Sequence, residues 1–283
     1  MEMADNGENK ENREKIGKKI ACIGSGNMGC ALMQGAARIV GGENILFTDH
    51  TPAKAEAAAR KVGGKALLSN AEAVRVAEVV FFAVKPAGVA AAIQETASFF
   101  TGDKIAVSMA AGVSLGQLAA AFTAAGKNAP PLIRIMPNTP ALVGKGVIAL
   151  SASPAAGPKA AELVRSLLSG AGVVDIVDEK YFDAITALAG SGPAFAFLFM
   201  EALADGGVFA GLPRDKALRY AALTLEGAAA LAAQTGKHPA VLKDEVASPG
   251  GTTIRGIAAL EARAFRGAVM SAVQSAHEAC SRL

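Results

Sequence analysis

The sequence predicts an α/β fold in which a parallel-sheet domain over residues 18–178 is followed by an all-helical domain over 179–283. Three observations carry it. Apolar runs of strand length alternate with helical patterns as far as Asp178, and beyond that residue the strand signal disappears. Between the first strand and the first helix stands a glycine turn, with Gly24, Gly26 and Gly29 spaced as G-x-G-x-x-G.

Residues 19–23, 45–48, 79–84, 105–109 and 132–136 read as strands buried on both faces. The intervening 28–40, 52–62, 86–100 and 114–122 read as helices, several opened by Pro or Ser. A further strand (146–151), helix (158–169) and strand (173–177) extend the alternation. Such a pattern implies a parallel sheet with helices on both faces. After Asp178, residues 181–190, 193–210, 213–235, 239–247, 252–263 and 265–281 all read as helices, with Gly and Pro at most joints.

The glycine turn reads K-I-A-C-I-G-S-G-N-M-G over 19–29. Gly24 makes the tight turn, Gly26 lets backbone meet a pyrophosphate, and Gly29 lets helix and strand pack closely. A helix starting near Asn27 aims free N–H groups and its positive dipole end at phosphates. Ser25, Asn27 and Met28 fill the turn and count with the glycines as cofactor contacts. A glycine turn alone is a weak signal, but this one follows a strand, opens a helix and precedes a second strand ending at Asp49. The sheet domain is therefore read as Rossmann-type, with NADH or NADPH as cofactor. A carboxylate at Asp49 accepts from a ribose hydroxyl pair and repels a 2′-phosphate, so it leans to NADH. His50, Thr51 and Lys54 would accommodate that phosphate if the carboxylate turned away. The other reading of Asp49 is a cap on the next helix through Thr51 and Pro52.

Composition narrows the class. The chain is 283 residues long, 52% hydrophobic and rich in Ala and Gly, enough to bury a sizeable core with apolar surface left for a subunit interface. Its 28 basic residues are scattered and net charge is +3, without the basic stripe of a nucleic-acid binder. Cys22, Cys30 and Cys280 form no CxxC pair, which fits a reducing, cytoplasmic setting. No His, Cys or Asp cluster has metal-ligand spacing. Residues 1–17 are polar and of mixed charge, a disordered extension rather than a signal peptide. Residues 184–203 carry only Glu201 as a charge and approach spanning length. Gly190, Gly192 and Pro193 interrupt that run, so it is read as a helix buried at a domain or subunit interface, with no membrane partner.

Further motifs are more specific. A-V-K-P (Ala83, Val84, Lys85, Pro86) ends one strand, and S-M-A-A-G from Ser108 through Met109, Ala110 and Ala111 to Gly112 ends the next. R-I-M-P-N-T-P occupies 134–140, L-A-G-S-G-P-A 188–194, A-L-A-D-G-G-V 202–208 and L-K-D-E-V-A-S-P-G-G-T-T-I 242–254. On these motifs the chain resembles the pyrroline-5-carboxylate reductases, enzymes of the last step of proline biosynthesis, over about residues 18–281. The resemblance places Ala83 to Pro86 and Met109 to Ala111 along the cofactor, and Asn70 beside the adenosine ribose. Read from the residues alone, Lys85 is equally a solvated loop charge and Asn70 a helix N-cap. Asn138 looks like a nicotinamide-side turn, or simply a rigid end to its strand. The resemblance also implies a homodimer through the helical domain, which further assembly would extend to a higher oligomer.

Ser248, Pro249, Gly250, Gly251, Thr252 and Thr253 precede a helical pattern. Small residues leave N–H groups open and a helix N-terminus attracts anions, so this loop suits a carboxylate, or else is a helix start with no ligand. The resemblance implies that it holds the substrate carboxylate, with Thr253 as the catalytic candidate, hydrogen-bonding the ring nitrogen. Hydroxy-acid dehydrogenases of related architecture carry a Lys after Gly-Ser-Gly. Here Gly190, Ser191 and Gly192 are followed by Pro193, Ala194 and Phe195, with no Lys, His or acid before Glu201. Oxidising an alcohol needs a base to take its proton, whereas reducing a preformed imine does not. Asp205 reads as satisfying the backbone at Gly206 and Gly207, and His238 as helping to start a helix at Pro239. The expected activity is NAD(P)H-dependent reduction of pyrroline-5-carboxylate to L-proline. A hydroxy-acid dehydrogenase of the same architecture and a non-catalytic NAD(P)-binding regulator are the competing readings.

Overall fold

The computed structural model describes residues 17–102 and 104–280; apart from Gly17 the polar extension lies outside the described residues, as does Ser281. The chain divides into two compact units, one running to Gly190 and taking in the chain again from Ala279, and one spanning Ser191–Glu278.

The first unit is built on β1 (Ile20–Ile23), β2 (Ile45–Thr48), β3 (Lys65–Ala66), β4 (Val79–Phe82), β5 (Ile105–Ser108), β6 (Leu132–Met136), β7 (Gly146–Ala152) and β8 (Gly172–Ile176). They form one sheet in the order β3-β2-β1-β4-β5-β6-β7-β8. Its helices are α1 (Asn27–Val40), α2 (Pro52–Val62), α3 (Asn70–Val76), α4 (Pro86–Thr96), α5 (Leu115–Ala124) and α6 (Gly157–Leu168). Alternation along each strand feeds two core layers. Ile20, Cys22, Phe47 and Phe81 pack with Leu32, Met33, Ala58 and Leu167 of α1, α2 and α6. Ala21, Ile23, Val80 and Phe82 pack on the opposite face with Val74, Ile93, Leu118 and Phe122 of α3, α4 and α5. Burying both faces is what makes these strands read as unbroken apolar runs.

Two features differ from the sequence expectation. The two-residue β3 had no counterpart in it, and the seven-residue α3 only the reading of Asn70 as a helix N-cap. The sheet is also not wholly parallel: β7 runs antiparallel to β6, with Arg134 opposite Ser151 and Ile135 opposite Leu150. The cause is the connection. Residues 137–145 hold one 3-10 turn (Thr139–Val143) and no crossover helix, and a parallel return needs a dozen or more residues.

The sheet order also locates the ligand crevice. From β1 the chain passes through α1 to β2 on one side, and later occupies β4 on the other. Strand order therefore reverses at β1 and β4, and a crevice opens beyond their C-terminal ends.

Past β8 come α7 (Phe182–Ile185) and a π turn (Thr186–Gly190), still in the first unit. The second unit consists of α8 (Gly192–Phe209), α9 (Arg214–Thr235), α10 (Pro239–Val246), α11 (Thr252–Ala262) and most of α12 (Phe265–Cys280). Its own core is small: Ala204, Ala217 and Ala221 bring α8 and α9 together, flanked by Met200 and Val208. Phe199 and Phe265 add a tilted ring contact at 5.6 Å. Large apolar side chains stay exposed here, among them Phe197, Leu198, Phe209, Leu223 and Met270.

The apolar helix, expected to be buried at a domain or subunit interface, is left largely uncovered by its own chain. Glu179–Phe209 is long and apolar enough to cross a membrane by length and composition, yet only 11% of its most apolar window is buried within the chain. The reading of Asp205 is corrected: its carboxylate pairs with Arg214 at the start of α9 rather than with the neighbouring glycine backbone. His238 does start its helix, its Nδ1 accepting the Ala240 N–H at 3.2 Å.

Candidate dinucleotide and substrate sites

The first site is built where β1 turns into α1. The Gly24 N–H donates to Thr48 O at 2.8 Å and the Ala83 N–H to Ile23 O at 2.8 Å, tying the turn to both neighbouring strands. Gly24 has φ +96°, and a Cβ there would lie 2.7 Å from the Ala83 carbonyl oxygen. Gly29 is as confined, since its Cβ would meet the Ala83 Cβ at 2.9 Å. Around Gly26 the chain instead leaves open space: a Cβ would touch nothing within 4 Å. Gly26 is the N-cap of α1 and no side chain caps that helix. Uncapped N–H groups at a helix start with room beside them fit an anionic diphosphate.

Beneath the turn the Cys22 thiol donates to Gly24 O at 3.3 Å, and burial pushes its pKa well up. Burial raises the Cys30 thiol as well. Both stay protonated at neutral pH and keep thiolate charge away from the phosphate turn.

A cavity of about 470 Å³ opens from the turn. It gathers Gly24, Gly26, Asp49, Asn70, Ala83, Val84 and Lys85 from the sequence-predicted set. Ser25, Asn27, Met28 and Gly29 belong to the turn and the first residues of α1, and Pro86 is the first residue of α4, where its missing N–H leaves no orphan donor. Met109, Ala110 and Ala111 follow β5 and lie outside the cavity lining, as does Asn138 after β6.

Asp49 is nearly buried, with 7% of its side chain exposed. Its Oδ2 accepts the Ser25 N–H at 2.8 Å and its Oδ1 the Thr51 N–H at 2.9 Å, with His50 Nδ1 3.1 Å away. The carboxylate thus ties the phosphate turn to the start of α2 while lining the cavity. Asn70 is not an N-cap: Ser69 caps α3, accepting the Glu72 N–H at 3.4 Å, and Asn70 is the first helical residue. Asn138 directs its side chain into the protein, its Nδ2 donating to Ala189 O and its Oδ1 accepting the Val147 N–H, each at 2.9 Å. Those bonds make it a brace for the turn between β6 and β7.

Gly88, Ala91, Ala92 and Glu95 also line the cavity, and sequence reasoning missed them. Their spacing along α4, at i, i+3, i+4 and i+7, was the available signal for one helical face.

The second site lies on the helical unit, where Ser248, Pro249, Gly250 and Gly251 lead into α11. Gly250 takes φ +68°, and the Gly251 N–H donates to Ser248 O at 3.1 Å. Ser248 Oγ closes over Gly251, where a Cβ would lie 2.2 Å from it. Gly251 is the N-cap of α11 and no side chain caps it, so Thr252 and Thr253 begin a helix whose first N–H groups are unoccupied by side chains. That chemistry receives a carboxylate. Among the described residues, no three His, Cys, Asp or Glu side chains gather where a metal ion would be held.

Comparison with known proteins gives the context. Residues 179–283 match the family model for pyrroline-5-carboxylate reductase dimerisation, and residues 19–112 that for NADP oxidoreductase, coenzyme F420-dependent. The pyrroline-5-carboxylate reductase of Pisum sativum is 45% identical, over 91% of this chain and 93% of its own length. That of Escherichia coli is 37% identical over 94% and 98%. Among solved structures, a pyrroline-5-carboxylate reductase from Coxiella burnetii superposes with a TM-score of 0.86 at 30% identity, covering 94% of this chain and 98% of that one. The Plasmodium falciparum pyrroline carboxylate reductase with NADP bound gives 0.82 at 28%, covering 93% and 97%. By identity along nearly its whole length, the chain belongs to the pyrroline-5-carboxylate reductase family.

Proposed function

We propose that the chain reduces the C=N bond of 1-pyrroline-5-carboxylate to give L-proline, with NADH or NADPH as reductant. The observation that carries this reading is family likeness spanning 91% of the chain, which takes in both the phosphate turn and the 248–253 loop. When bound, a reduced nicotinamide supplies the hydride. Gly24, Ser25, Gly26 and the uncapped start of α1 hold the pyrophosphate, while Asp49 and Asn70 face the adenosine ribose and the Asp49 carboxylate tilts the choice toward NADH. Ala83 to Pro86 and Met109 to Ala111 follow the ends of β4 and β5 and flank the dinucleotide. The bonds of Asn138 support a bracing role at the nicotinamide side.

The N–H groups after Ser248, Gly250 and Gly251 hold the substrate carboxylate at the start of α11, joined by Thr252. The Thr253 hydroxyl orients the ring nitrogen, and water suffices as proton source because that nitrogen enters protonated. No residue from Gly190 to Met200 is a Lys, His or acid, in keeping with a reaction that abstracts no alcohol proton. Catalysis then rests on orientation and charge placement.

The exposed apolar residues of the helical unit support a homodimer formed through it, a second copy covering the face that Phe197, Leu198 and Phe209 present. A cytoplasmic location suits the buried, protonated thiols Cys22 and Cys30. The domain division proposed is a dinucleotide domain to residue 178 and a substrate and dimerisation domain from 179.

The test is absorbance loss at the nicotinamide band with pyrroline-5-carboxylate and each cofactor. Turnover with at least one is the expected result, and none with either overturns the reading. Thr253→Ala should lower kcat/KM about 100-fold, the range for removing one positioned hydrogen-bonding group at the reacting centre, here the acceptor for the ring N–H, with cofactor Kd unchanged. Undiminished kcat/KM removes the hydroxyl from the mechanism. Sedimentation at micromolar concentration should give at least twice the chain mass.

A further inference from the structure

We propose that Glu95 is a positioning residue for the cofactor site: it sets the orientation of the Asn70 amide, and its charge disfavours a 2′-phosphorylated ligand. This rests on the reading of the cavity as the adenosine end of a dinucleotide site.

The argument begins with α4. Gly88, Ala91 and Ala92 keep the cavity-facing side of this helix low, and one turn further on Glu95 is the first long side chain of the stripe. Its Oε2 accepts a hydrogen bond from Asn70 Nδ2 at 2.7 Å. On its other side the Asn70 Oδ1 accepts from the Thr48 hydroxyl at 2.5 Å. The three residues come from β2, α3 and α4, and the chain of bonds runs Thr48 to Asn70 to Glu95.

The two ends of this chain are not equivalent. A hydroxyl both donates and accepts, so Thr48 tolerates either orientation of the amide. An ionised carboxylate only accepts, and a flipped amide would set Oδ1 against it. Glu95 therefore decides which way Asn70 points. One Nδ2 hydrogen and one Oδ1 lone pair then remain for a ligand in the cavity.

The same carboxylate adds charge. Asp49 is already engaged by the Ser25 and Thr51 N–H groups, so the cavity carries two acids, Asp49 and Glu95. Facing them from α2, the β2–α2 turn and the β4–α4 turn are Lys54, His50 and Lys85. A ribose diol gains from acceptors at this point, whereas a phosphate is repelled by both carboxylates.

The experiment is calorimetric titration of the full chain with ADP-ribose and with ADP-ribose 2′-phosphate, each for native protein, Glu95→Ala and Glu95→Gln. Glu95→Ala should weaken ADP-ribose about tenfold, the scale of one charge-assisted hydrogen bond. Glu95→Gln retains an acceptor without the charge, so it should recover most of that loss. It should also bind the 2′-phosphate probe about fivefold more tightly than native protein, consistent with one like charge removed at partly solvated range. In steady state the cofactor KM should follow these changes while kcat does not. Glu95 is exposed, so thermal midpoints should stay together. If native protein binds neither probe, the nucleotide reading itself fails. If it binds both but the two variants match it within about twofold, Glu95 has no such role. A Glu95→Gln variant as weak for ADP-ribose as Glu95→Ala refutes the positioning part.

Discussion

Gly26→Ala is expected to weaken NADH binding at least ~100-fold while leaving the urea midpoint almost unmoved, the loss of about two charge-assisted hydrogen bonds to phosphate. Gly26 has φ −71° and ψ 175°, extended backbone that any residue adopts, and an added Cβ meets no protein atom within 4 Å. The methyl group would occupy only the space at the uncapped start of α1. Gly24→Ala differs in kind. Its φ of +96° is costly for any side chain, and the new Cβ would overlap the Ala83 carbonyl at 2.7 Å. That carbonyl cannot retreat freely, because the Ala83 N–H is bonded to Ile23 O. Gly24→Ala should therefore lose about 3 kcal/mol of stability together with cofactor affinity. Urea unfolding and fluorescence titration of NADH separate the two variants. A Gly26→Ala protein with native affinity would mean that no pyrophosphate lies against this turn.

The contrast shows what was legible in the chain. Where boundary residues carry backbone constraints of their own, element ends could be read directly. Residues 52–62 were expected to be helical and α2 spans the same residues, since Pro52 opens it and Gly63 closes it at φ +74°. Residues 45–48 and 132–136 were likewise expected as strands and match β2 and β6. An apolar run carries no direction, however, and the antiparallel entry of β7 depends on how the chain turns over 137–145. Two-residue β3 holds only one buried backbone partner strand, and no period can be drawn from Lys65 and Ala66.

Site residues divide along similar lines. Gly24 and Gly29 are demanded by local geometry, so their spacing between a strand and a helix exposed them. Asn138 stood within a specific motif, but a motif does not reveal that the amide points inward to Ala189 and Val147. Glu95 was missed for the opposite reason. A single acid on an exposed helical face reads as solvated, and only the pairing of α4 with Asn70 across the cavity gives it a partner.

Arg134→Ala should destabilise the sheet unit by about 3 kcal/mol, among the larger losses open to one substitution outside the glycine turn. Arg134 lies on β6 with 8% of its side chain exposed, and its Nη1 donates to Glu179 Oε1 at 2.9 Å. Its guanidinium also stacks 4.5 Å above the Phe182 ring. The same Glu179 oxygen accepts the Leu115 N–H at 2.7 Å, so one carboxylate joins β6, the start of α5 and the turn leading to α7. Removing the cation leaves that carboxylate, 29% exposed, with the Leu115 N–H as its remaining hydrogen-bond donor, and also opens a gap over the ring. Arg134→Met should lose less, because its side chain still covers Phe182. Pairing it with Glu179→Gln removes the stranded charge, so the double variant should be more stable than Arg134→Met alone. Such a cycle, read from urea midpoints, should give a coupling of about 1–2 kcal/mol that survives added salt, because the pair is largely shielded from counterions. Strict additivity would mean that Arg134 acts only through its contact with Phe182, and the ion pair would then be a consequence of the fold rather than one of its supports.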